Sequence, residues 1–205
     1  MKFFLLSLFL LTSLSSSCLK QPNELQEMAQ LDSEQILIVY LSRTKNTKAV
    51  AEMIQEEVGG ELVELELVSP YPENYRAIVA QVAQENESGF LPPLKTKITN
   101  LDQYEVVFLG FPTWGMQLPP PMKRFLTENN LSEKKVIPFN TNGGYGIGSS
   151  FDTVEKLCKG CQILDGFSIR GGSERDGILF VMEGEKAVEV QQEVKKWLRK
   201  IEFVY

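Results

Sequence analysis

Apolar positions fall along this chain in two alternating rhythms. Ile36–Leu41 (ILIVYL), Val106–Phe111 and Lys135–Phe139 are short, nearly continuous apolar runs rich in β-branched and aromatic residues. Runs of this kind predict strands buried on both faces, as in a parallel sheet covered by helices. After the first run, Val50, Ala51, Met53, Ile54 and Val58 recur at helical spacing and stop at Gly59-Gly60, a helix end. Leu62–Val68 alternates apolar and acidic residues and predicts a strand nearer the edge. Tyr75, Ile78, Val79 and Val82 predict a helix across Tyr71–Asn86, and Met122–Thr127 predicts a short one behind Pro119, Pro120 and Pro121. A helix at Phe151–Leu157, a fifth strand at Ile163–Ile169 and a terminal amphipathic helix at Glu185–Ile201 complete the series. Strands alternating with helices predict an α/β fold with a doubly wound parallel sheet, occupying residues 35–205.

The first 34 residues follow a different rule. Lys2 precedes the apolar run Phe3–Leu14, then come Ser15, Ser16, Ser17 and Cys18. A membrane span needs about 20 apolar residues, so this run reads as a secretory signal over residues 1–17. Leu14–Cys18 resembles a relaxed bacterial lipobox, which implies Cys18 as the first mature, lipid-bearing residue; ordinary cleavage near Ser17 would leave it free. Residues 18–34 are polar without a sustained apolar period and read as a tether. The expectation is an exported protein, periplasmic or on the cell surface, touching a bacterial membrane through its lipid anchor only.

Composition narrows the chemistry. With 205 residues, 43% hydrophobic and 23% charged, one globular domain is the expectation. The net charge of −6 argues against a nucleic-acid partner, which would be held by clustered Lys and Arg. The chain has no histidine, which excludes Ser-His-Asp triads, His-ligated zinc and imidazole bases. No metal site is expected. Catalysis, if any, falls to a cofactor or to carboxylates, lysines or cysteines.

Three loops following predicted strands carry candidate chemistry, and ligands of open α/β sheets bind beyond the strands' carboxyl ends. Ser42, Arg43, Thr44, Lys45, Asn46 and Thr47 lie between a strand and a helix. A helix N-terminus offers unpaired N–H groups and partial positive charge to an anion, and hydroxyls add donors. Plain helix capping needs only one such hydroxyl. The second loop is Pro112, Thr113, Trp114 and Gly115; its indole sits past the strand, between proline and glycine, where a flat ligand could stack. The third, Asn142, Gly143, Gly144, Tyr145 and Gly146, has a glycine density that allows close backbone approach, or simply a flexible turn.

Ser-x-Thr-x-Asn-Thr after the first hydrophobic strand resembles the phosphate loop of flavodoxins, and Tyr40–Thr47 with Tyr71–Tyr75 is similar to one flavodoxin subfamily. The resemblance runs from about Gln35 to the C-terminus. It implies a flavodoxin-like three-layer sandwich, a five-stranded parallel sheet in order 2-1-3-4-5 with helices on both faces, and flavin mononucleotide (FMN) as cofactor. It further implies that the first loop wraps the phosphate, Trp114 lies against the isoalloxazine, and the third loop reaches the flavin's polar edge with Tyr145 over the other face. Lys45 stands where that family usually has glycine; a left-handed backbone there costs about 1–2 kcal/mol with a side chain.

Cys158 and Cys161 form a Cys-x-x-Cys. In an oxidising compartment the pair closes as a small structural disulfide, the favoured reading, or exchanges electrons with a flavin. The expected function is electron transfer by an FMN protein with no catalytic side chain, served by a redox partner protein or a small-molecule donor or acceptor. The alternatives are an FMN-dependent NAD(P)H:quinone-type reductase and a cofactor-free interaction module on the same fold.

Overall fold

The computed structural model describes residues 32–203. The expected signal, Cys18 and nearly all of the tether lie outside them. Within them the chain forms β1 (Ile36–Tyr40), α1 (Asn46–Val58), β2 (Glu61–Glu64), α2 (Tyr75–Ser88), β3 (Val106–Pro112) and α3 (Pro120–Glu128). There follow β4 (Lys135–Asn142), α4 (Ser150–Leu157), β5 (Gln162–Ile163), β6 (Phe167–Arg170) and α5 (Gly184–Lys200). The sheet is parallel throughout, in the order β2-β1-β3-β4-β5, with β6 also paired to β4. The expected architecture is therefore present, and the chain's central strands are buried on both sides.

Strand alternation divides the core into two layers. Ile36, Ile38 and Tyr40 of β1 pack with Val50 and Ile54 of α1 and with Val190, Val194 and Leu198 of α5. Leu37 and Val39 point the other way, toward Met122 and Phe125 of α3 and Val154 of α4. Both faces of β1 are thus covered, which is why its sequence is apolar without interruption. Helix α2 departs from this scheme. Its buried Ile78 and Val82 join neither layer and instead wall a cavity at one edge of the sheet.

Three boundaries differ from the sequence reading. The fifth strand, expected as one piece over Ile163–Ile169, is two segments separated by Leu164–Gly166. Pro138 accounts for the break. Lys134 and Val136 accept from Gln162 and Leu164, so alternate residues of β4 face the fifth strand, and Pro138 shares that parity without an N–H to donate. The freed Asp165 carbonyl accepts the Trp197 indole N–H at 2.9 Å. The second strand ends at Glu64, and Leu67 forms an isolated antiparallel bridge with Leu94. Finally, α2 begins at Tyr75, capped by Asn74, whose carboxamide accepts the Ala77 N–H at 3.1 Å.

Cys158 and Cys161 are joined as a disulfide with Cα atoms 5.8 Å apart, between the end of α4 and the start of β5. This is the amino edge of the sheet, opposite the carboxyl ends where the three loops emerge. The sulfurs therefore have no direct contact with a ligand at those loops.

Close packing between β3 and β4 depends on Gly110. A Cβ there would lie 2.1 Å from the Phe139 ring. Gly110→Ala is expected to cost about 1–3 kcal/mol through overpacking. Denaturant unfolding checks this: the midpoint should fall with the slope unchanged.

Candidate functional site

The loops after β1, β3 and β4 converge because their strands are parallel neighbours in register, with Tyr40 opposite Gly110 and Pro112 opposite Thr141. Between these loops and α2 lies a cavity of about 730 Å³. That volume is within the usual range for small-molecule and cofactor sites, about 300–1,000 Å³.

In the first loop Lys45 adopts φ 65° and ψ −5°, a left-handed turn that swings the chain into α1. Among the described residues no acceptor engages the backbone N–H groups of Arg43 through Thr47. Unpaired N–H groups at a helix N-terminus suit an anion. Thr44, Asn46 and Thr47 line the cavity beside it. Ser42 does not; its Oγ accepts the Lys48 N–H at 3.2 Å and acts as a cap. The side chain of Lys45 is exposed and also lies off the cavity wall.

Two residues expected to meet the ligand are largely occupied with the protein. Arg43 Nε donates to Glu174 at 2.9 Å, while its other nitrogens donate to the carbonyls of Pro72 at 2.9 Å and Glu73 at 2.6 Å. It lines the cavity yet serves as a clamp between three segments. Asn46 is buried; its Nδ2 donates to Thr44 Oγ1 at 2.8 Å and to the Leu179 carbonyl at 2.6 Å, and its Oδ1 accepts the Val181 N–H.

The second loop places Pro112, Thr113, Trp114 and Gly115 in the cavity wall. Trp114 and Gln117 exchange backbone hydrogen bonds, closing a tight turn through Gly115 and Met116. The Trp114 ring meets the edge of Tyr71 at 5.3 Å with the planes 89° apart. The third loop contributes Asn142, Gly143, Tyr145 and Gly146, whereas Gly144 is not on the wall. Its backbone is less available than its composition suggests. The N–H groups of Gly144 and Gly146 both donate to Asn142 Oδ1, at 2.9 and 3.1 Å. Tyr145 is 68% exposed and stands at the cavity mouth.

Neutral hydrogen bonds tie the loops together. Thr47 Oγ1 and Thr141 Oγ1 share a buried bond at 2.8 Å, and Thr113 Oγ1 donates to the Gly146 carbonyl at 3.0 Å. The sequence reading passed over a fourth segment, Gly172–Arg175, which follows β6 and also lines the cavity. Its signal was present as Gly171-Gly172-Ser173 after the fifth strand. Arg175 there is exposed at the mouth and reaches the Tyr145 hydroxyl at 3.4 Å. The inner face of α2, with Ile78, Val79 and Val82, closes the remaining side.

The sequence model of the family described as flavodoxin matches residues 35–183, most of the chain. The chain belongs to the flavodoxin family. Solved flavodoxin-like structures agree. A candidate flavoprotein from Bacteroides uniformis superposes with a TM-score of 0.66 at 23% identity, over 82% of this chain and 99% of that one. One from Bacteroides eggerthii gives 0.65 at 26% identity, over 82% and 97%. A Lactobacillus acidophilus flavoprotein solved in complex with FMN gives 0.60 at 19%, over 66% and 93%. Among curated proteins, none matches the sequence. Among the described residues, this flavodoxin has no grouping of three His, Cys, Asp or Glu side chains suited to a metal, and no helix long and apolar enough to cross a membrane.

Relief of the left-handed strain at Lys45, about 1–2 kcal/mol, exceeds the added chain entropy of glycine, about 0.5–1 kcal/mol. Lys45→Gly is accordingly expected to stabilise the fold by about 0.5–1 kcal/mol in chemical denaturation. Arg43→Ala should destabilise it by about 1–3 kcal/mol by leaving Glu174 and two carbonyls without their donor. Arg43→Lys should recover little, because a single ammonium cannot span three acceptor groups arranged for a guanidinium.

Proposed function

We propose that this flavodoxin-family chain binds FMN and transfers electrons at the extracytoplasmic face of a bacterial membrane, anchored through Cys18. One observation carries the cofactor assignment: Arg43, Thr44, Asn46 and Thr47, whose backbone N–H groups have no acceptor among the described residues, line the same cavity as Trp114. Free backbone donors at a helix N-terminus and a flat aromatic ring in one cavity suit a phosphorylated tricyclic cofactor. The FMN held by the Lactobacillus flavoprotein supports the same reading on the same fold.

In this reading the backbone N–H groups at the start of α1 hold the phosphate, with the Thr44 hydroxyl beside them. Trp114 orients the ring, and the backbone of Asn142–Gly146 borders its polar edge. When bound, the isoalloxazine supplies the redox chemistry, and the side chains need only bind it, exclude water and set its electrostatic surroundings. The chain's net charge of −6 opposes build-up of further negative charge at the site. The export and anchoring half of the proposal rests on the apolar run Phe3–Leu14 followed by Ser15–Ser17 and Cys18. Its redox partner is a protein, or a small donor or acceptor, meeting the cavity mouth.

A second reading is favoured by the apolar face of α2. Ile78, Val79 and Val82 wall the cavity instead of packing on the sheet, which offers room for a flat acceptor and so a reductase role. Reduction of the FMN-loaded chain by NADH or NADPH in stopped flow favours the reductase; no reaction favours the carrier.

The purified full-length chain, titrated with FMN, should quench flavin fluorescence and develop a shifted visible spectrum. Trp114→Ala should weaken binding by about three- to tenfold, the worth of one aromatic contact. A wild-type chain that takes up no FMN overturns the assignment.

A further inference from the structure

We propose that Glu85 and Tyr71 form a brace that sets the plane of Trp114, and that this brace fixes the ring wall of the cofactor cavity; the second half rests on the FMN reading above. Glu85 lies on the inner face of α2, one turn beyond Val82, and is only 5% exposed. Among the described residues it has no cationic partner. Its Oε2 accepts the Tyr71 O–H at 2.5 Å and its Oε1 accepts Gln81 Nε2 at 2.9 Å. A buried carboxylate is costly unless its oxygens are well paired, and an apolar residue would dock α2 at less cost. The carboxylate is explained by what it holds.

Tyr71 lies outside α2, in the segment that leads into it, and that segment is pinned at two points. Its phenol is tied to Glu85, and the carbonyls of Pro72 and Glu73 take the Arg43 guanidinium. Burial, then the Glu85 acceptor and its charge, push the Tyr71 phenol well above its ordinary range. Fixed in this way, the Tyr71 ring meets the Trp114 ring edge-on, 5.3 Å between centroids and 89° between planes. That is a preferred aromatic geometry, and it defines the orientation of the indole.

Besides Tyr71, Trp114 packs against the apolar layer that holds Met122 and Phe125. The next two residues of its turn, Gly115 and Met116, both have positive φ, at 56° and 61°. The Gln117 side chain of the turn is tied separately. Lys123 Nζ donates to Asn86 Oδ1 at 2.8 Å and to Gln117 Oε1 at 3.3 Å. Burial holds that amine below its usual range. Neighbouring positions 85 and 86 of α2 therefore reach the Trp114 ring and the Gln117 side chain of the same turn, by different routes. A flat ligand gains from a wall that is already oriented, since less ordering remains to be done on binding.

The experiment uses the full chain with Tyr71→Phe, Glu85→Gln and, as a control, Tyr104→Phe. Tyr104 also donates its hydroxyl to a glutamate, Glu61, but at the amino edge of the sheet, away from the cavity. Two readouts are taken: the near-UV circular dichroism of the flavin-free protein, with the Trp114 band assigned by Trp114→Phe, and the FMN dissociation constant. Tyr71→Phe keeps the ring and loses the anchor. It should diminish the Trp114 band and weaken FMN by about three- to tenfold. Glu85→Gln retains an acceptor for the phenol and should restore most of both signals. Tyr104→Phe should leave both unchanged despite a comparable loss of stability. An unaltered Trp114 band in Tyr71→Phe overturns the brace, whatever the flavin affinity. A diminished band with unchanged affinity overturns its role in the cofactor wall. Failure of the wild type to bind FMN removes the cofactor half, while the circular dichroism still decides whether Tyr71 orients Trp114.

Discussion

A parallel sheet imposes one constraint from which the rest of this structure follows: every strand must finish at the same edge. The chain can return only by a crossover, so the segments leaving β1, β3 and β4 are gathered side by side at the carboxyl end. The uninterrupted apolar runs become strands covered on both faces. Polar and glycine-rich stretches are left to the edge, where they meet solvent and one another. The same constraint sends the Cys158–Cys161 disulfide to the opposite end, apart from any ligand chemistry.

At that edge the loops hold one another mainly through neutral hydrogen bonds. Thr47 with Thr141, Thr113 with the Gly146 carbonyl, and Asn46 with Leu179 and Val181 occupy polar side chains of the expected ligand loops. Of the two cations of the first loop, Arg43 is committed to Glu174 and to the segment before α2, and Lys45 lies off the cavity wall. What remains unspent is backbone: the N–H groups that open α1. Anion recognition by main-chain dipoles needs no net positive charge, consistent with a chain of net charge −6.

The architecture was largely legible because burial on both faces writes itself into sequence as uninterrupted apolar runs. ILIVYL could be little else once a helical period followed it. The break in the fifth strand was not legible, since its cause is a proline on the neighbouring strand, and register is invisible in one dimension. For the site, loop positions and the place of Trp114 were readable from strand ends. The engagement of Arg43, the capping by Ser42 and the capture of two glycine N–H groups by Asn142 were not, because each depends on partners distant in the chain or on the exact turn. Helix α2 is the sharpest case. Ile78 and Val82 have the period of a core helix, and the periodicity cannot distinguish a face that packs on a sheet from one that walls a cavity. Glu85, in the same stripe, is recognised as buried only in the fold.

The central claim is that main-chain amides at the start of α1 bind a phosphate dianion while Trp114 bears on the ring. Parallel calorimetric titrations of the full chain with FMN and with riboflavin, which share the ring and differ in the phosphate, test it most directly. The account predicts binding about ten- to hundredfold tighter for FMN, the worth of one or two charge-assisted hydrogen bonds. Equal affinity for the two ligands would contradict it.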